Sequence, residues 1–304
     1  MINLLFSQGG KMDSGGMRGG QLSNKLTNSY EELILSNSNI NSKNKIIIIH
    51  KSHASNIPLL HHLKSNNNTL IFDVVDWLGD EGIKKYDPSN NKGCPNFFPN
   101  LLHPYYDGYI VNNTKMKEWW YENMDKDKSK PIFIIPHHWD LIFKNLPLKD
   151  YNKPPYFYYL GYKGHTNQNC LHIDKLMSEQ LIYEDRGNKT WFNDKPKDGC
   201  QLNIREFESW EYCFKPATKI SIAAAMGSVI ITTNDWSVQD ILPNEYPYLL
   251  KSSKYEEVKL MIEKVKSTYQ SSEWNLAKEI LESVYHSTSL DLIIEKYKEI
   301  NESF

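Results

Sequence analysis

The chain has 304 residues, of which 40% are hydrophobic and 24% charged, as in an ordinary folded protein. Proteins that bind nucleic acid mainly through charge have a strongly basic surface. A formal net charge of −2 therefore argues against this class of protein. The four cysteines are widely spaced and form no CxxC pair, which argues against structural zinc and predicts reduced thiols in a cytoplasmic, soluble protein. No apolar run approaches the roughly 20 residues that span a bilayer, so we expect neither a transmembrane segment nor a signal peptide.

The first half of the chain alternates between short apolar runs and helical patterns. The apolar runs predict strands at residues 2–6, 46–50, 69–75, 109–112 and 132–136. Apolar residues at helical spacing predict helices at 15–35 and 114–124. Strands that alternate with helices are typical of an α/β domain with a parallel sheet.

A second α/β pattern follows residues 146–155, a segment rich in Pro, Lys and Asp that we interpret as a linker. Further strands are predicted at 156–160, 181–184, 201–205 and 229–233. Helices are predicted at 167–177, 216–226, 255–269, 272–285 and 289–300. We therefore expect two α/β domains, at residues 1–150 and 151–285.

The most informative stretch is KPATKISIAAAMGSVIITT, at residues 215–233. Pro216 suits the first turn of a helix, where its missing N–H costs nothing, and Gly227 suits the left-handed residue after its end. The β-branched run that follows predicts a buried parallel strand. Thr218 and Lys219 therefore fall in the first helical turn, where N–H groups and the positive dipole end attract an anion such as phosphate.

This stretch resembles the "KP-x-TK…A-x-G-x-x-VI" run in the second domain of the GT-B glycosyltransferases. The matching residues are Lys215, Pro216, Thr218, Lys219 and Gly227. The resemblance implies the fold class α/β, with two Rossmann-like domains facing a cleft and the last segment, 286–304, packing back on the N-terminal domain. In the family this run contacts the diphosphate and ribose of a nucleotide-sugar donor. A surface lysine on an amphipathic helix is the alternative interpretation of Lys219.

Other segments of the second domain also resemble donor contacts of these enzymes. A glycine-rich turn at a strand's carboxyl end brings backbone N–H groups close to phosphates, although a plain turn is the alternative. That turn contains Gly161, Lys163, Gly164 and His165. In the segment 234–240 the resemblance implies contacts from the backbone amides of Ser237 and Val238 and from Asp240, whereas an N-cap at Asp235 or Ser237 is the local alternative. Together with Lys219, Arg205 or Lys215 is expected to stabilise the leaving diphosphate.

The first domain resembles the family in layout and in two short segments. Gly15, Gly16 and Met17 follow the first strand, where GT-B enzymes often have a GG pair bordering the cleft and the acceptor; a flexible surface loop is the alternative. IIPHHWD resembles the family's IPNGVD, so His137 and His138 are expected to be proton carriers or donor contacts, or else to line the cleft. The candidate general bases for an acceptor hydroxyl are Asp76, His53 and Asp13.

One departure from the family pattern leaves the stereochemistry open. Many retaining members carry an E-x7-E motif here, but Phe214 and Ile222 stand at the two positions. The resemblance implies a glycosyltransferase of glycan biosynthesis, with a UDP- or GDP-linked sugar donor, a glycan or other hydroxyl acceptor, no nucleic-acid partner, no cofactor and no metal. Two alternatives remain: a nucleotide-sugar 2-epimerase on the same fold, and a non-catalytic glycan- or nucleotide-binding protein.

Overall fold

A computed structural model of the protein describes residues 3–9, 16–50, 53, 56–74, 102–161, 171–185, 193–206 and 215–304. The chain divides into two compact units. The first contains Met1–His137, Cys213–Pro216 and Leu290–Phe304, and the second contains His138–Tyr212 and Ala217–Ser289. Among the described helices, none has the length and apolar character that crossing a membrane requires.

The sheet of the first unit consists of five parallel strands in the order β1-β2-β3-β4-β5. The strands are β1 (Leu4–Phe6), β2 (Ile46–His50), β3 (Thr69–Asp73), β4 (Gly108–Val111) and β5 (Ile132–Ile134). In register, Phe6, Ile48 and Ile71 lie side by side in adjacent strands, and all three are fully buried. This burial agrees with the continuous apolar runs, which are typical of parallel strands covered on both faces.

The helices are α1 (Gln21–Thr27), α2 (Ile57–Ser65), α3 (Thr114–Asn123), α4 (Ile173–Ser178), α5 (Thr218–Met226), α6 (Trp236–Gln239), α7 (Tyr255–Ser267), α8 (Ser272–Ser287) and α9 (Leu290–Ser303). A π-helical turn, Gly16–Gly20, leads into α1. The predicted helix at 15–35 is too long, because Asn28 adopts a left-handed φ of 62° at the end of α1. Beyond it, Ile34 forms an isolated parallel bridge with Phe6.

The sheet of the second unit is also parallel, and its strand order is β12-β11-β10-β7-β8. The strands are β7 (Tyr156–Tyr159), β8 (Glu184–Asp185), β10 (Gly199–Asn203), β11 (Val229–Thr233) and β12 (Leu249–Leu250). The chain adds β8 on one side of β7 and then β10, β11 and β12 on the other side. The strand order therefore reverses between β7 and β10, which is the kind of switch point where open α/β sheets bind ligands.

The segment interpreted as a linker belongs to the second unit. Within it, β6 (Leu148–Lys149) pairs in parallel with β9 (Lys195–Pro196) to form a small two-stranded sheet. Leu146 is buried in a cluster with Trp139 and Phe143. Because these residues pack and pair inside the second unit, the division falls after His137 rather than after residue 150.

Helix α5 is the central helix of the second unit. Every residue from Ile220 to Met226 is buried, and α8 packs against it. Gly227 follows α5 with a left-handed φ of 68°, which confirms the predicted glycine cap. On α8 the fully or nearly fully buried residues are Trp274, Ala277, Leu281 and Val284, which recur at the helical spacing of one apolar face.

Candidate functional site

The carboxyl edge of the second sheet collects the residues that the sequence places in a donor site. Gly161 follows β7, Arg205 follows β10, and Asp235 follows β11. Because β7, β10 and β11 are parallel neighbours, their carboxyl ends lie along one edge of the sheet. Gly161 and Arg205 stand on either side of the switch point.

Helix α5 connects β10 to β11, so it begins at that same edge. Ala217 occupies its N-cap position, and its methyl side chain accepts no hydrogen bond from the N–H groups of the first turn. Thr218 and Lys219 lie in the first turn and are half-buried. The Lys219 ammonium nitrogen lies 5.1 Å from the ring centroid of Tyr159, the last residue of β7. A helix N-terminus, a hydroxyl and a cation thus adjoin the switch point, and this combination suits an anionic ligand.

Gly161 is required by the close approach of a neighbouring side chain. A Cβ atom at this position would overlap both the hydroxyl oxygen and Cζ of Tyr159, and it would lie 2.7 Å from the ring carbon Cε1. Tyr159 is fully buried, so it has little room to move. The glycine of this turn therefore has a steric reason. Lys163, Gly164 and His165, which complete the predicted loop, lie outside the described residues.

A buried ion pair joins the ends of β10 and β11. Arg205 Nη1 donates to Asp235 Oδ2 at 3.1 Å, and both side chains are 5% exposed. The backbone N–H of Arg205 also donates to Thr233 Oγ1 at 3.0 Å. Burial raises the pKa of the Asp235 carboxyl group, and the charge of Arg205 offsets only part of this rise. The cation expected to face a diphosphate is therefore paired with a carboxylate.

The backbone amides of Ser237 and Val238, which are expected to contact the donor, bond to the side chain of Asp235 in the structure. Val238 N–H donates to Asp235 Oδ1 at 3.1 Å, and the amide of Ser237 also bonds to the Asp235 carboxyl group. Both amides are used because Asp235 is the N-cap of α6, which confirms the local alternative. Ser237 and Val238 are also buried, whereas Asp240 is exposed at the C-cap of α6.

The carboxyl edge of the first sheet holds a fully buried cluster around Arg18 and Asp73. Arg18 Nε and Nη2 donate to Asp73 Oδ2 and Oδ1 at 2.9 and 2.8 Å. Tyr297 of α9 donates its hydroxyl to Asp73 Oδ2 at 3.2 Å. Burial alone would raise the pKa of Asp73, but the charge and hydrogen bonds of Arg18 lower it overall. Asp73 is thus an ionised partner of Arg18.

Two histidines lie at the end of β2, beside this cluster. The His50 ring is buried, and burial is the main cause that lowers its pKa, which favours the neutral form of the ring. Its Nε2 lies 3.2 Å from the carbonyl oxygen of Arg18. His53, a candidate base, follows in a turn in which its N–H donates to the His50 carbonyl oxygen at 2.9 Å. The buried Nδ1 of His53 has no hydrogen-bond partner within the described part of the chain.

The remaining first-unit candidates are placed only in part. Gly16 begins the π-helical turn, and Met17 within that turn is buried. His137 and His138 follow β5, and both rings are buried, at 3% and 0% exposure. The candidates that lie outside the described residues are Asp13, Gly15 and Asp76. Within the described ranges, no group of three or more His, Cys, Asp or Glu side chains is arranged to hold a metal ion.

Sequence analysis identified several of these residues without finding their partners. The pairings it missed are Arg18 with Asp73, Arg205 with Asp235, Tyr297 with Asp73 and Lys219 with Tyr159. The available signal was positional: the acidic residues end strands, and Arg18 lies in the glycine-rich segment after β1. Nothing in the α9 pattern distinguishes Tyr297 from the other apolar positions of that helix.

Comparisons with solved structures agree with the two-sheet architecture. HepE of Anabaena in complex with UDP-glucose is similar over 99% of both chains, with a TM-score of 0.66 and 9% identity. The pneumococcal O-GlcNAc transferase GtfA in complex with UDP and GlcNAc has a TM-score of 0.56 and 15% identity over 86% of this chain. A trehalose-6-phosphate synthase has a TM-score of 0.51 and 9% identity over 93% of this chain and 86% of its own.

The share of the neighbour's own chain that this protein covers differs between these structures. The chain spans 57% of the length of the pneumococcal GtfA chain and 57% of the chain matched in a GtfA/B complex. A scan against protein-family models and a search of curated proteins each find no match to the sequence. The structural likenesses show that the protein has the GT-B glycosyltransferase fold.

Proposed function

We propose that the protein is a glycosyltransferase that moves a sugar from a nucleoside diphosphate donor to a hydroxyl group of a glycan or similar acceptor. The observation that supports this best is the convergence at the switch point of the second sheet. There the start of α5, with Ala217 at its N-cap followed by Thr218 and Lys219, adjoins the end of β7 at Tyr159 and Gly161. The donor is held by the second unit, and the acceptor binds on the first.

In this reaction the second unit stabilises the diphosphate that leaves the donor sugar. Charge develops on the diphosphate as the glycosidic bond to the donor sugar breaks. Preorganised N–H groups and a cation lower the energy of that charge without reorganising at the moment of reaction. The first turn of α5 supplies both, because Lys219 lies against Tyr159 and the first N–H groups of an α-helix point out of its N-terminal end. On this proposal turnover needs no metal and persists in EDTA.

A nucleotide panel tests the proposal directly. The purified protein is titrated with UDP, GDP, ADP and the matching nucleotide sugars by calorimetry, and nucleotide release is followed with and without glycan acceptors. We expect one nucleoside diphosphate to bind and the matching sugar nucleotide to release it faster when an acceptor is present. Absence of binding to every nucleotide would refute the proposal.

The same panel separates the alternative functions. A 2-epimerase converts the nucleotide sugar without any acceptor, and the product keeps its diphosphate. A non-catalytic binding protein binds the nucleotide and shows no turnover under any condition. Either result would replace transfer as the function, while the site on the second unit would remain.

A further inference from the structure

Arg18 is among the largest fully buried side chains of the structure, and all three nitrogen atoms of its guanidinium group donate hydrogen bonds. Besides the bidentate contact with Asp73, Nη1 donates to the carbonyl oxygens of Ile135 and Pro136 at 3.2 and 3.1 Å. One side chain therefore connects the π-helical turn, the end of β3 and the segment after β5. Lysine cannot replace this planar fork, because its single ammonium group cannot reach four acceptors at once.

Both carboxyl oxygens of Asp73 accept hydrogen bonds within the protein. Its Oδ2 accepts from Arg18 Nε and from the Tyr297 hydroxyl, and its Oδ1 accepts from Arg18 Nη2. The side chain is fully buried, so no solvent or acceptor hydroxyl reaches it. Asp73 therefore cannot serve as a general base, although it ends a strand as the candidate bases do.

A gain in the stability of the fold does not by itself explain why a buried ion pair stands at this position. The desolvation of two charges offsets much of their attraction, and apolar side chains of similar volume often give equal or greater stability. What an apolar pair cannot do is hold two backbone carbonyl groups at fixed distances from the sheet. The contacts to Ile135 and Pro136 constrain the backbone that leads directly into His137.

We infer that Arg18 is a positioning residue for the acceptor side of the reaction, an inference that rests on the proposed function. Through Asp73 it fixes the glycine-rich segment to the end of β3, and through the two carbonyl groups it fixes the approach to His137. Arg18 touches no substrate, because its side chain has no exposed surface. Its contribution is to the geometry of catalysis and not to binding of the donor on the second unit.

The test separates positioning from stability. The triple variant Arg18→Met/Asp73→Leu/Tyr297→Phe removes the whole polar cluster and leaves no buried charge without a partner. We expect it to keep a cooperative unfolding transition and the wild-type nucleotide Kd, while kcat for transfer falls roughly 100-fold because the carbonyl groups of Ile135 and Pro136 lose their donor and the segments are misplaced. Arg18→Lys, which keeps the charge but loses the fork, is expected to lose kcat in the same direction. A triple variant or an Arg18→Lys variant with wild-type kcat would overturn the inference.

Two further measurements keep the test decisive. Lys25→Ala breaks the exposed ion pair between Lys25 and Asp291, at 2.6 Å, and serves as the matched control with unchanged kcat.

If the wild-type protein transfers no sugar, the proposed function fails, and hydrogen exchange decides the positioning role by itself. Faster amide exchange at residues 16–20 and at Ile135 and His137 in Arg18→Lys, with unchanged exchange in β2, supports positioning. Unchanged exchange in both segments overturns it. If the triple variant does not fold, Arg18→Lys alone decides by these criteria.

Discussion

The Lys219 ammonium group lies 5.1 Å from the ring centroid of Tyr159, and the two residues come from opposite sides of the switch point of the second sheet. Tyr159 ends β7, whereas Lys219 lies on the helix that follows β10. The ring holds the cation near the face of an aromatic side chain, where the ring quadrupole attracts it. This contact orients a lysine that would otherwise be a mobile side chain on a helix surface.

Lys219→Ala is expected to weaken nucleoside diphosphate binding roughly 10- to 100-fold, since a charge-assisted hydrogen bond contributes about 1.5–3 kcal/mol. The folded state should remain intact, because Lys219 is only half-buried. Calorimetric titration with the nucleotide identified by the panel measures the change. Lys197→Ala is the control, because Lys197 is exposed in the turn before β10, at the opposite end of that strand. An unchanged Kd for Lys219→Ala would leave Lys219 as an ordinary surface lysine.

Gly161→Ala is expected to impair both stability and nucleotide binding. The added methyl group overlaps the Tyr159 hydroxyl, so the buried ring must shift, at a cost of about 1–3 kcal/mol. A shifted ring no longer supports Lys219, and the Kd for nucleotide should rise. Urea unfolding and calorimetry measure the two effects, and Gly161→Ala in a Tyr159→Leu background, which lacks the ring, tests the cause. If Gly161→Ala costs as much stability in that background as in the wild-type protein, overlap with Tyr159 is not the reason.

Arg205→Met is expected to lower the free energy of unfolding by about 3–5 kcal/mol, because it leaves the buried Asp235 carboxylate without its cation. Urea denaturation monitored by circular dichroism measures the loss. Lys259→Met is the matched control: it breaks an exposed pair with Glu179 at 3.1 Å and should leave stability nearly unchanged, because solvent screens that pair. Equal losses in the two variants would contradict the structural role of the Arg205–Asp235 pair.

The acid side of the stability profile should depend on Asp73. Its pKa is lowered in the folded state, so the unfolded state binds more protons as the pH falls. The stabilisation is complete above the unfolded pKa, about 3.9, and is lost as the pH falls through the lower folded pKa. Asp73→Asn should therefore be less stable at pH 7 and lose less stability than wild type between neutral and acid pH.

Unfolding by urea at a series of pH values measures this difference. Asp291→Asn removes an exposed carboxylate from the same unit and serves as the control. If Asp73→Asn and the wild-type protein lose stability with the same slope, Asp73 is not ionised by its contact with Arg18 in the folded state.

Local signals predicted the elements that depend on local interactions. The helix predicted at 216–226 is present as Thr218–Met226, but Pro216 precedes its N-cap, Ala217, and so lies outside the first turn. The strand predicted at 229–233 has those bounds in the structure. Caps and backbone preferences act within a few residues, so a single sequence contains them. The predicted helix at 15–35 was wrong beyond Thr27, because Asn28 turns the chain and Ile34 pairs with Phe6, a distant residue.

The sequence by itself determined the fold class, the polar residues at the strand ends and the helix start that carries Thr218 and Lys219. These features follow from periodicity and from residue chemistry. Only the tertiary structure decided which of those residues pair. Arg205 and Asp235 are 30 residues apart, Arg18 and Asp73 are 55 apart, and Tyr297 and Asp73 are 224 apart. Such contacts depend on strand order and on where the last helix returns, and periodicity along the chain does not encode either. For the same reason, the switch point between β7 and β10 became visible only once the strands were assembled.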